Sequence, residues 1–335
     1  MEAKMMEGIR IGVVMGGVSS ERDVSLKSGK AVAAALKSRG SEALEIDIKK
    51  ADKQYARDLL LSYDIGLAFL ALHGSFGEDG KIQSILEEIG IPYTGSGPRA
   101  SALAMDKIAS RKIFQDAGLL CPRYYSIEKN RKNSKSVLTF PLVVKPAGGG
   151  SSIGLSIVEN QTQLKGAIDE AFRYDRKVIV EEYIAGRELT VGIFEDSPLE
   201  AIEIKPKRRF FDYRAKYEPG QTEYCVPAAL SLELMRVVKE AAYAAHEALG
   251  CSFFSRVDII LRHDNTPFIL EVNTIPGFTA TSLLPKAALY KGIPFPELIV
   301  RISEAALSGR ADQVKINARK VTLQQENQNA AIPSL

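Results

Sequence analysis

The first hundred residues alternate between short apolar runs and stretches with a helical repeat. The apolar runs have the length of buried strands and lie at 9–15, 42–48, 65–72 and 91–94. Between them, apolar residues recur every three or four positions, as they do on one face of an amphipathic helix. Strands that alternate with helices predict a parallel α/β sheet covered on both faces, so residues 1–104 are predicted to form a Rossmann-like N-terminal domain.

After this domain the pattern changes to that of a smaller α+β unit. A helical repeat covers 106–117, and strand patterns follow at 142–145 and 178–182. The two strands are separated by a glycine-rich loop and a further helical repeat. We therefore predict a central domain at 105–190.

The remaining sequence predicts a third domain and a tail. A helical repeat covers 232–249, and a β-hairpin follows it. These elements predict a C-terminal α+β domain at 191–310. Residues 311–335 are polar and rich in Gln and Asn, which is typical of a mobile tail.

Composition narrows the class of protein. Of the 335 residues, 45% are hydrophobic and 25% are charged, as in a soluble protein with a substantial core, and the length suggests two or three domains. The net charge is only +3 and no basic stripe is present, which argues against nucleic acid as a partner. No apolar stretch is long enough for a membrane span or a signal peptide core, so we expect no membrane partner.

The cysteines and histidines indicate the compartment. Cys121, Cys225 and Cys251 are odd in number and far apart, and no CxxC pattern occurs. A reduced compartment without a disulfide framework is therefore expected, which favours the cytoplasm. The three histidines are also scattered, which makes a zinc site improbable.

The predicted hairpin of the third domain carries the densest set of polar side chains. Its strands, at 256–261 and 268–273, are joined by a turn at Asp264-Asn265. Directly opposed residues and residues two apart share a face of the sheet. The polar residues predicted to share one face are Arg256, Asp258, Glu271 and Asn273. The apolar residues predicted to point to the other face are Val257, Ile259, Leu270 and Val272.

This polar face has the donors of a magnesium site. Two carboxylates and an amide oxygen within about 5 Å of each other are costly unless a cation lies among them. Such hard oxygen donors favour Mg²⁺ that bridges phosphates, with Asp258, Glu271 and Asn273 as ligands. The alternative is a solvent-exposed polar face with an ordinary Asp–Arg pair. A loop of odd length would also shift the register and separate the groups.

A glycine-rich loop follows the strand that ends at Lys145. Residues 148–154 have the sequence GGGSSIG. Backbone N–H groups of glycines approach phosphate oxygens closely, and Lys145 adds a positive charge. The lysine precedes the glycines, so this is not the P-loop pattern. The alternative is a flexible linker, but the position directly after a buried strand argues against that.

Glu181 and Glu188 flank a turn at the end of the central domain. They have the chemistry to bind an adenine amino group and ribose hydroxyls, with the backbone of Tyr183 and Ile184 at the base edge. Taken alone, they are better explained as ordinary surface acids.

Residues 205–224 combine basic and aromatic side chains without clear periodicity. A segment of this kind, about 20 residues long inside a compact domain, is unusual and often forms a lid. A nucleic-acid patch is the alternative. The segment is short and the chain has no other basic surface, so we favour the lid.

Taken together, these segments resemble the D-alanine–D-alanine ligases of the ATP-grasp superfamily. The matching segments occur in the order and spacing of that family across 9–308. They are 16–25, 72–80, 92–96, 104–107, the glycine-rich loop, 212–217 and 271–279. In two respects the chain departs from the family. The loop has Gly148-Gly149-Gly150 where many members have a charged residue, and the tail has no counterpart that we recognise.

The resemblance implies an ATP-grasp fold, in which two α+β domains clasp ATP, and it implies binding roles for individual residues. The residues implied to bind ATP are Lys107, Lys145, Gly150, Ser151, Ser152, Glu181, Tyr183, Ile184 and Glu188. The residues implied to bind two Mg²⁺ ions, which Mn²⁺ can replace, are Asp258, Glu271 and Asn273. The residues implied to bind D-alanine are Glu21, His73, Ser282 and Leu283.

The resemblance also implies catalytic roles, for Glu21, Ser151, Lys216, Tyr217, Arg256 and Gly277. Arg256 and the Gly277 N–H would stabilise an oxyanion. Lys216 would contact the transferred phosphate, and Tyr217 would close the lid against Glu21 and Ser151. Three residues have a structural alternative, since Glu21 and Ser282 are also suited to cap helices and His73 to orient backbone at a strand end.

The implied activity is the ATP-dependent joining of two D-alanines through a D-alanyl phosphate, for peptidoglycan precursor synthesis, cell wall biogenesis and cell shape. A homodimer is implied as well. D-Lactate or D-serine as the second substrate remains open, although a tyrosine at position 217 favours an amine. An ATP-binding module that has lost catalysis is a further alternative. The presence of every implied metal ligand and of Arg256 argues against it.

Overall fold

The structure is a computed structural model that describes residues 6–130, 138–150, 153–207 and 221–309. These residues form three β-sheets with helices packed against them. One sheet is parallel and comes from the first hundred residues, and the other two are antiparallel. The predicted α/β fold class is confirmed, as is the parallel sheet at its N-terminus.

The N-terminal sheet has the strand order β2-β1-β3. The elements of this region are β1 (Arg10–Gly16), α1 (Arg22–Ser38), β2 (Glu42–Ile48), α2 (Lys53–Ser62), β3 (Leu67–Leu70), α3 (Lys81–Glu88) and α4 (Pro98–Met105). β2 begins and ends as predicted, whereas β3 is shorter than the predicted strand at 65–72. The predicted strand at 91–94 contributes a single parallel bridge, between Ala68 and Tyr93.

Helix α1 packs closely on β1 of this sheet. Gly29 lies so near Met15 that a Cβ would approach its side chain to 2.6 Å. Beyond the carboxyl end of β1, the Ser19 hydroxyl donates a hydrogen bond of 2.7 Å to the His73 carbonyl. The loops that follow β1 and β3 are therefore held together at the carboxyl edge of the sheet, where open α/β sheets bind ligands.

The central sheet is antiparallel, in the order β4-β7-β5-β6. The elements of this region are α5 (Lys107–Asp116), β4 (Tyr124–Glu128), β5 (Leu142–Pro146), β6 (Ser156–Val158), α6 (Gln161–Ala171) and β7 (Lys177–Glu182). β5, α6 and β7 follow the predicted pattern. β4 was not predicted, because none of its side chains is fully buried and the sequence has no clear alternation there.

The C-terminal sheet is antiparallel in the order β11-β10-β8-β12-β13, with β9 paired to β8. Its strands are β8 (Gly186–Phe194), β9 (Ser197–Pro198), β10 (Ile202–Pro206), β11 (Thr222–Cys225), β12 (Phe254–Arg262) and β13 (Pro267–Asn273). The helices are α7 (Leu232–Ala248), α8 (Leu283–Tyr290) and α9, which covers 295–309. No helix in the described part of the chain is long and apolar enough to span a bilayer.

Two sequence predictions differ from this arrangement. The segment at 205–224 was predicted to be irregular throughout, but its ends are strands, since β10 pairs with β11 and Lys205 lies opposite Glu223. The predicted domain boundary at 190 lies inside β8, and the division of the chain into domains stays a prediction. Phe114 of α5 is buried in the same core as Val257 of the C-terminal sheet, so the two α+β units share packing.

Candidate active site

The hairpin of β12 and β13 has the predicted pairing at its polar end. Arg256 lies opposite Asn273, and Asp258 lies opposite Glu271. These four side chains line two cavities, described below. Val257 is buried in the core on the other face of the sheet. Strand alternation places the four polar groups on one face, and a change of register beside Asp258 keeps this residue opposite Glu271.

A β-bulge next to Asp258 corrects one prediction. Ile259 pairs with Ile269, so Leu270 is the extra residue of β13. Leu270 was predicted to point to the core, and this is wrong, because it lines a cavity together with Glu271 while Ile269 is in the core. The cause lies at the turn, where the Arg262 N–H donates to the Thr266 carbonyl at 2.9 Å and closes a loop of odd length.

Each acid of the hairpin has a cationic partner. The Arg256 guanidinium donates two hydrogen bonds to Asp258, of 3.0 and 2.7 Å. The Thr190 hydroxyl donates a third to the same carboxylate, at 2.6 Å. Lys107 Nζ lies 3.2 Å from Glu271 Oε2 and donates to the Gly149 carbonyl at 2.6 Å. Lys107 thus connects the hairpin to the glycine-rich loop.

Glu181 is the centre of a buried group of charges. Its Oε2 accepts a hydrogen bond of 2.6 Å from Arg111, and its Oε1 lies 2.5 Å from Lys145 Nζ. Burial alone would raise the pKa of Glu181, but Arg111 and Lys145 together lower it. Burial also lowers the pKa of Lys145. Arg111 was not predicted, since it lies 70 positions from Glu181 in an unremarkable helix pattern.

The first cavity lies between the central and C-terminal sheets. Its apolar walls are Val143 and Ile157 on one side and Ile260 and Leu270 on the other. The predicted residues that line it are Lys107, Lys145, Gly150, Glu181, Tyr183, Ile184, Glu188, Asp258 and Glu271. A space with apolar walls and several charged lining groups is suited to a nucleotide. The apolar walls were not predicted, although Ile260 lies two residues from Asp258 and shares its face.

The second cavity has a volume of about 590 Å³ and lies between the N-terminal and C-terminal regions. The predicted residues that line it are Glu21, His73, Lys107, Gly150, Arg256, Glu271, Asn273, Gly277, Ser282 and Leu283. Lys107, Gly149, Gly150 and Glu271 line both cavities. The two spaces therefore meet at the glycine-rich loop and the hairpin.

Glu21 and Ser282 stand at the N-cap positions of α1 and α8, yet neither side chain caps its helix. Glu21 is buried, and its Oε2 lies 2.8 Å from where a Cβ on Gly150 would be. Only glycine fits there without displacing the carboxylate. The Ser282 hydroxyl accepts a hydrogen bond from Thr279 N at 3.1 Å. Both side chains line the second cavity, and their substrate roles stay predictions.

His73 is buried and forms hydrogen bonds that join three segments. Its Nε2 lies 3.3 Å from the Ser28 hydroxyl, which accepts from Phe278 N at 3.2 Å. Burial lowers the pKa of His73 to about 4, and the nearby Arg256 acts in the same direction. The imidazole is therefore neutral near pH 7, and it fixes α1 and the segment after β13 against the end of β3.

Glu78 is an acid of the second cavity that the sequence did not single out. The Gly74 N–H donates a hydrogen bond of 2.5 Å to its Oε2. Burial and the nearby Glu21 carboxylate raise the pKa of Glu78 to about 8. A signal existed, because Glu78 lies within the 72–80 segment that carries the family resemblance.

Four predicted site residues lie outside the described residues. They are Ser151, Ser152, Lys216 and Tyr217. The predicted tail at 311–335 and the middle of the predicted lid also lie outside them. Their roles stay predictions.

Comparisons with known proteins agree with this geometry. Family models described as D-ala D-ala ligase N-terminus and D-ala D-ala ligase C-terminus match residues 53–96 and 113–304. A D-alanine–D-alanine ligase of Geotalea uraniireducens is 50% identical over 299 residues, which are 89% of this chain and 95% of that protein. The corresponding ligase of Citrifermentans bemidjiense is 47% identical over 310 residues, 91% of this chain and 99% of that protein.

Solved structures are similar as well. A D-alanine–D-alanine ligase of Bacillus anthracis complexed with ATP has a TM-score of 0.81 and 37% identity, and the match covers 91% of this chain and 100% of that chain. The VanG D-Ala:D-Ser ligase of Enterococcus faecalis has a TM-score of 0.74 and 30% identity, with coverages of 88% and 98%.

A parallel-sheet domain followed by two α+β units around a charged cavity is the architecture of the ATP-grasp ligases, and the structural similarity confirms that class. The two family models together cover more than half of the chain. The chain belongs to the D-alanine–D-alanine ligase family.

Proposed function

We propose that this chain joins two D-alanines to D-alanyl-D-alanine with ATP, through a D-alanyl phosphate. The observation that carries the proposal is the meeting of the two cavities at Lys107, Gly149, Gly150 and Glu271. A nucleotide in the first cavity would place its terminal phosphate beside a carboxylate bound in the second. Holding both reactants in one geometry removes much of the entropic barrier to their reaction.

The charged residues suit successive steps of this reaction. Lys107 and Lys145 would hold phosphate oxygens, and Glu21 would bind the ammonium group of the first D-alanine. Attack on the acyl phosphate by a second amino group creates an oxyanion. Arg256, with the Gly277 N–H, would stabilise that charge.

The hairpin fits a divalent cation. Asp258 and Glu271 are directly opposed, and a bound cation would replace Arg256 and Lys107 as the partners of these carboxylates. The described residues contain no group of three His, Cys, Asp or Glu side chains arranged for a metal, so the third donor would be the Asn273 amide. Bound Mg²⁺, or Mn²⁺ in its place, would neutralise phosphate charge.

The same proposal includes a cytoplasmic homodimer that supplies peptidoglycan precursors. The scattered, unpaired cysteines Cys121, Cys225 and Cys251 suit a reducing compartment. The dimer is supported by the resemblance alone, and light scattering of the purified chain tests it.

The test of the activity is phosphate release with ATP, Mg²⁺ and a panel of D- and L-amino acids and D-hydroxy acids, with product masses measured. D-Alanine should stimulate release and L-alanine should not, because Glu21 and Arg256 would fix the ammonium and carboxyl groups and leave one enantiomer's methyl well placed. Equal stimulation by both would contradict the proposal. The similarity to a D-Ala:D-Ser ligase makes D-serine the second candidate, and a mixed dipeptide as main product would favour it.

A further inference from the structure

The proposed reaction needs a base, and the roles predicted from the sequence do not include one. The α-ammonium group of a free amino acid carries its proton near neutral pH, and in that form it has no lone pair with which to attack. The second D-alanine must therefore lose a proton before the carbon–nitrogen bond forms. This inference rests on the proposed function and concerns the residue that accepts this proton.

The second cavity contains two carboxylates that flank one glycine. Glu78 accepts its hydrogen bond from the Gly74 N–H at 2.5 Å. Glu21 Oε2 lies 3.0 Å from where a Cβ on Gly74 would be. Two zwitterionic amino acids bring two ammonium groups into this cavity, and Glu21 and Glu78, on either side of Gly74, offer one carboxylate to each. If Glu21 binds the ammonium of the first, Glu78 remains for that of the second.

The surroundings of Glu78 favour its acting as a proton acceptor. The charged groups that face it are Glu21 at the start of α1, Arg256 on β12 and Glu271 on β13. Asp23, Lys27 and Lys107 line the same cavity. Burial and repulsion from Glu21 and Glu271 raise the pKa of Glu78 to about 8, against the opposing effects of Arg256 and the Gly74 N–H. A base whose pKa is close to that of the ammonium exchanges its proton readily near neutral pH.

Two neighbouring groups are less suitable. His73 is neutral, but a pKa of about 4 makes it a weak acceptor for an ammonium proton. Asp79 is less suited to accept the proton, because its carboxylate already accepts a hydrogen bond from Phe76 N at 3.0 Å and pairs with Lys81 Nζ at 2.8 Å.

We propose that Glu78 is a catalytic residue that takes one proton from the α-ammonium group of the second amino acid. The freed lone pair then attacks the acyl phosphate carbon, which forms the carbon–nitrogen bond. The tetrahedral intermediate collapses, the carbon–oxygen bond to phosphate breaks, and the bonding pair leaves with phosphate. The second amine proton leaves with that phosphate, and Glu78 returns its own proton to water.

The test compares two nucleophiles with the variant Glu78→Gln. Hydroxylamine is largely neutral at pH 7 and needs no base, so it captures the acyl phosphate as a hydroxamate. The variant should form hydroxamate from ATP and D-alanine at close to the wild-type rate, while dipeptide formation falls about 100-fold or more. Asp79→Asn is the matched control from the same loop, and it should affect both products alike or neither.

The pH dependence provides a second readout. Dipeptide formation by the wild type should level off once Glu78 is ionised, whereas the variant should continue to gain rate at higher pH as free amine appears. Glu78→Asp keeps a carboxylate and should retain the levelling, at a lower rate, which covers the case of a poorly folded Gln variant.

Three outcomes decide the matter. Selective loss of dipeptide supports the proposal. An equal loss of hydroxamate and dipeptide in both Glu78 variants, or an unchanged dipeptide rate, overturns it. Failure of the wild type to form any hydroxamate or dipeptide would instead refute the ligase activity itself.

Discussion

At the scale of single residues, burial changes the acid–base behaviour of two side chains in opposite ways. His73 is buried among backbone and hydroxyl partners and kept neutral. Glu78 lies near other carboxylates and is pushed toward its protonated form. Neither effect is visible in the sequence, because the neighbours that cause it come from α1, β12 and β13.

His73 should make the protein sensitive to acid. Its pKa is about 4 when folded and 6.5 in its ordinary state, so between these values the unfolded chain binds more protons. Stability should therefore fall as pH drops from 6.5 to 4, by about 3 kcal/mol for this group. Urea unfolding of wild type and His73→Gln at pH 7 and pH 5 measures this. The variant should lose less stability, and identical losses would contradict the assignment.

Glu78 should have the opposite effect on how stability depends on pH. Its folded pKa of about 8 exceeds the ordinary 4.5, so the folded protein binds the extra proton and stability falls as pH rises from 4.5 through 8. Glu78→Gln should melt higher than the wild type at pH 8, by about 2–4 °C for each kcal/mol of repulsion relieved. Below pH 4.5 the two melting curves should converge. A lower melting temperature at pH 8 would count against the burial argument.

At the scale of elements, the sequence predicted the hairpin well and its bulge not at all. The shared face of Asp258 and Glu271 follows from strand alternation, which is a local signal, but their direct pairing also needs the bulge, which offsets the odd length of the loop. The face of the sheet on which Leu270 lies depends on the number of residues in the turn. The turn residues Asp264-Asn265 do not determine that number. β11 and the end of β10 were missed because the two strands pair across the segment at 208–220, and a pairing over that distance is not a local signal.

Arg111 should be essential for holding α5 to the sheets. Besides pairing with Glu181, its guanidinium donates to the Ile269 carbonyl at 2.8 Å, and the side chain is fully buried. Arg111→Met removes one partner of a buried ion pair, which typically costs about 3–5 kcal/mol. Denaturant unfolding measures the loss. Lys112→Met is the control, because Lys112 pairs with Asp116 at the surface, and it should change stability by less than about 0.5 kcal/mol.

At the scale of the whole molecule, the sequence predicted many of the residues that line the candidate site. It did not predict that they line two cavities that meet. The motifs align the charged residues with those of a known family. The charge of a side chain follows from its residue type, so the sequence alone shows it. The apolar walls of the first cavity come from two different sheets, Val143 from one and Ile260 from the other. Their meeting depends on how the sheets pack, which no local pattern determines.

Glu271 lines both cavities, so its charge should matter for the whole reaction. Glu271→Gln keeps the size of the side chain and removes the charge of a proposed Mg²⁺ ligand, which would be worth several kcal/mol. Phosphate release with D-alanine, ATP and saturating Mg²⁺ should fall at least about 100-fold, and chelation by EDTA should abolish it in the wild type. Glu240→Gln, on the exposed face of α7, is the control. Near-normal release by Glu271→Gln would show that the hairpin does not bind the metal.

The bulge at Leu270 has a consequence for insertions and deletions. Because Leu270 is the extra residue of β13, loss of its codon would leave Ile269 and Glu271 as neighbours with their present partners on β12. The strands would then alternate without interruption, and the acids of the hairpin would stay opposed. The first cavity would lose the Leu270 side chain from one of its apolar walls and keep Ile260 there. A single deletion would therefore change the apolar lining of the proposed nucleotide site while the paired acids of the hairpin keep their positions.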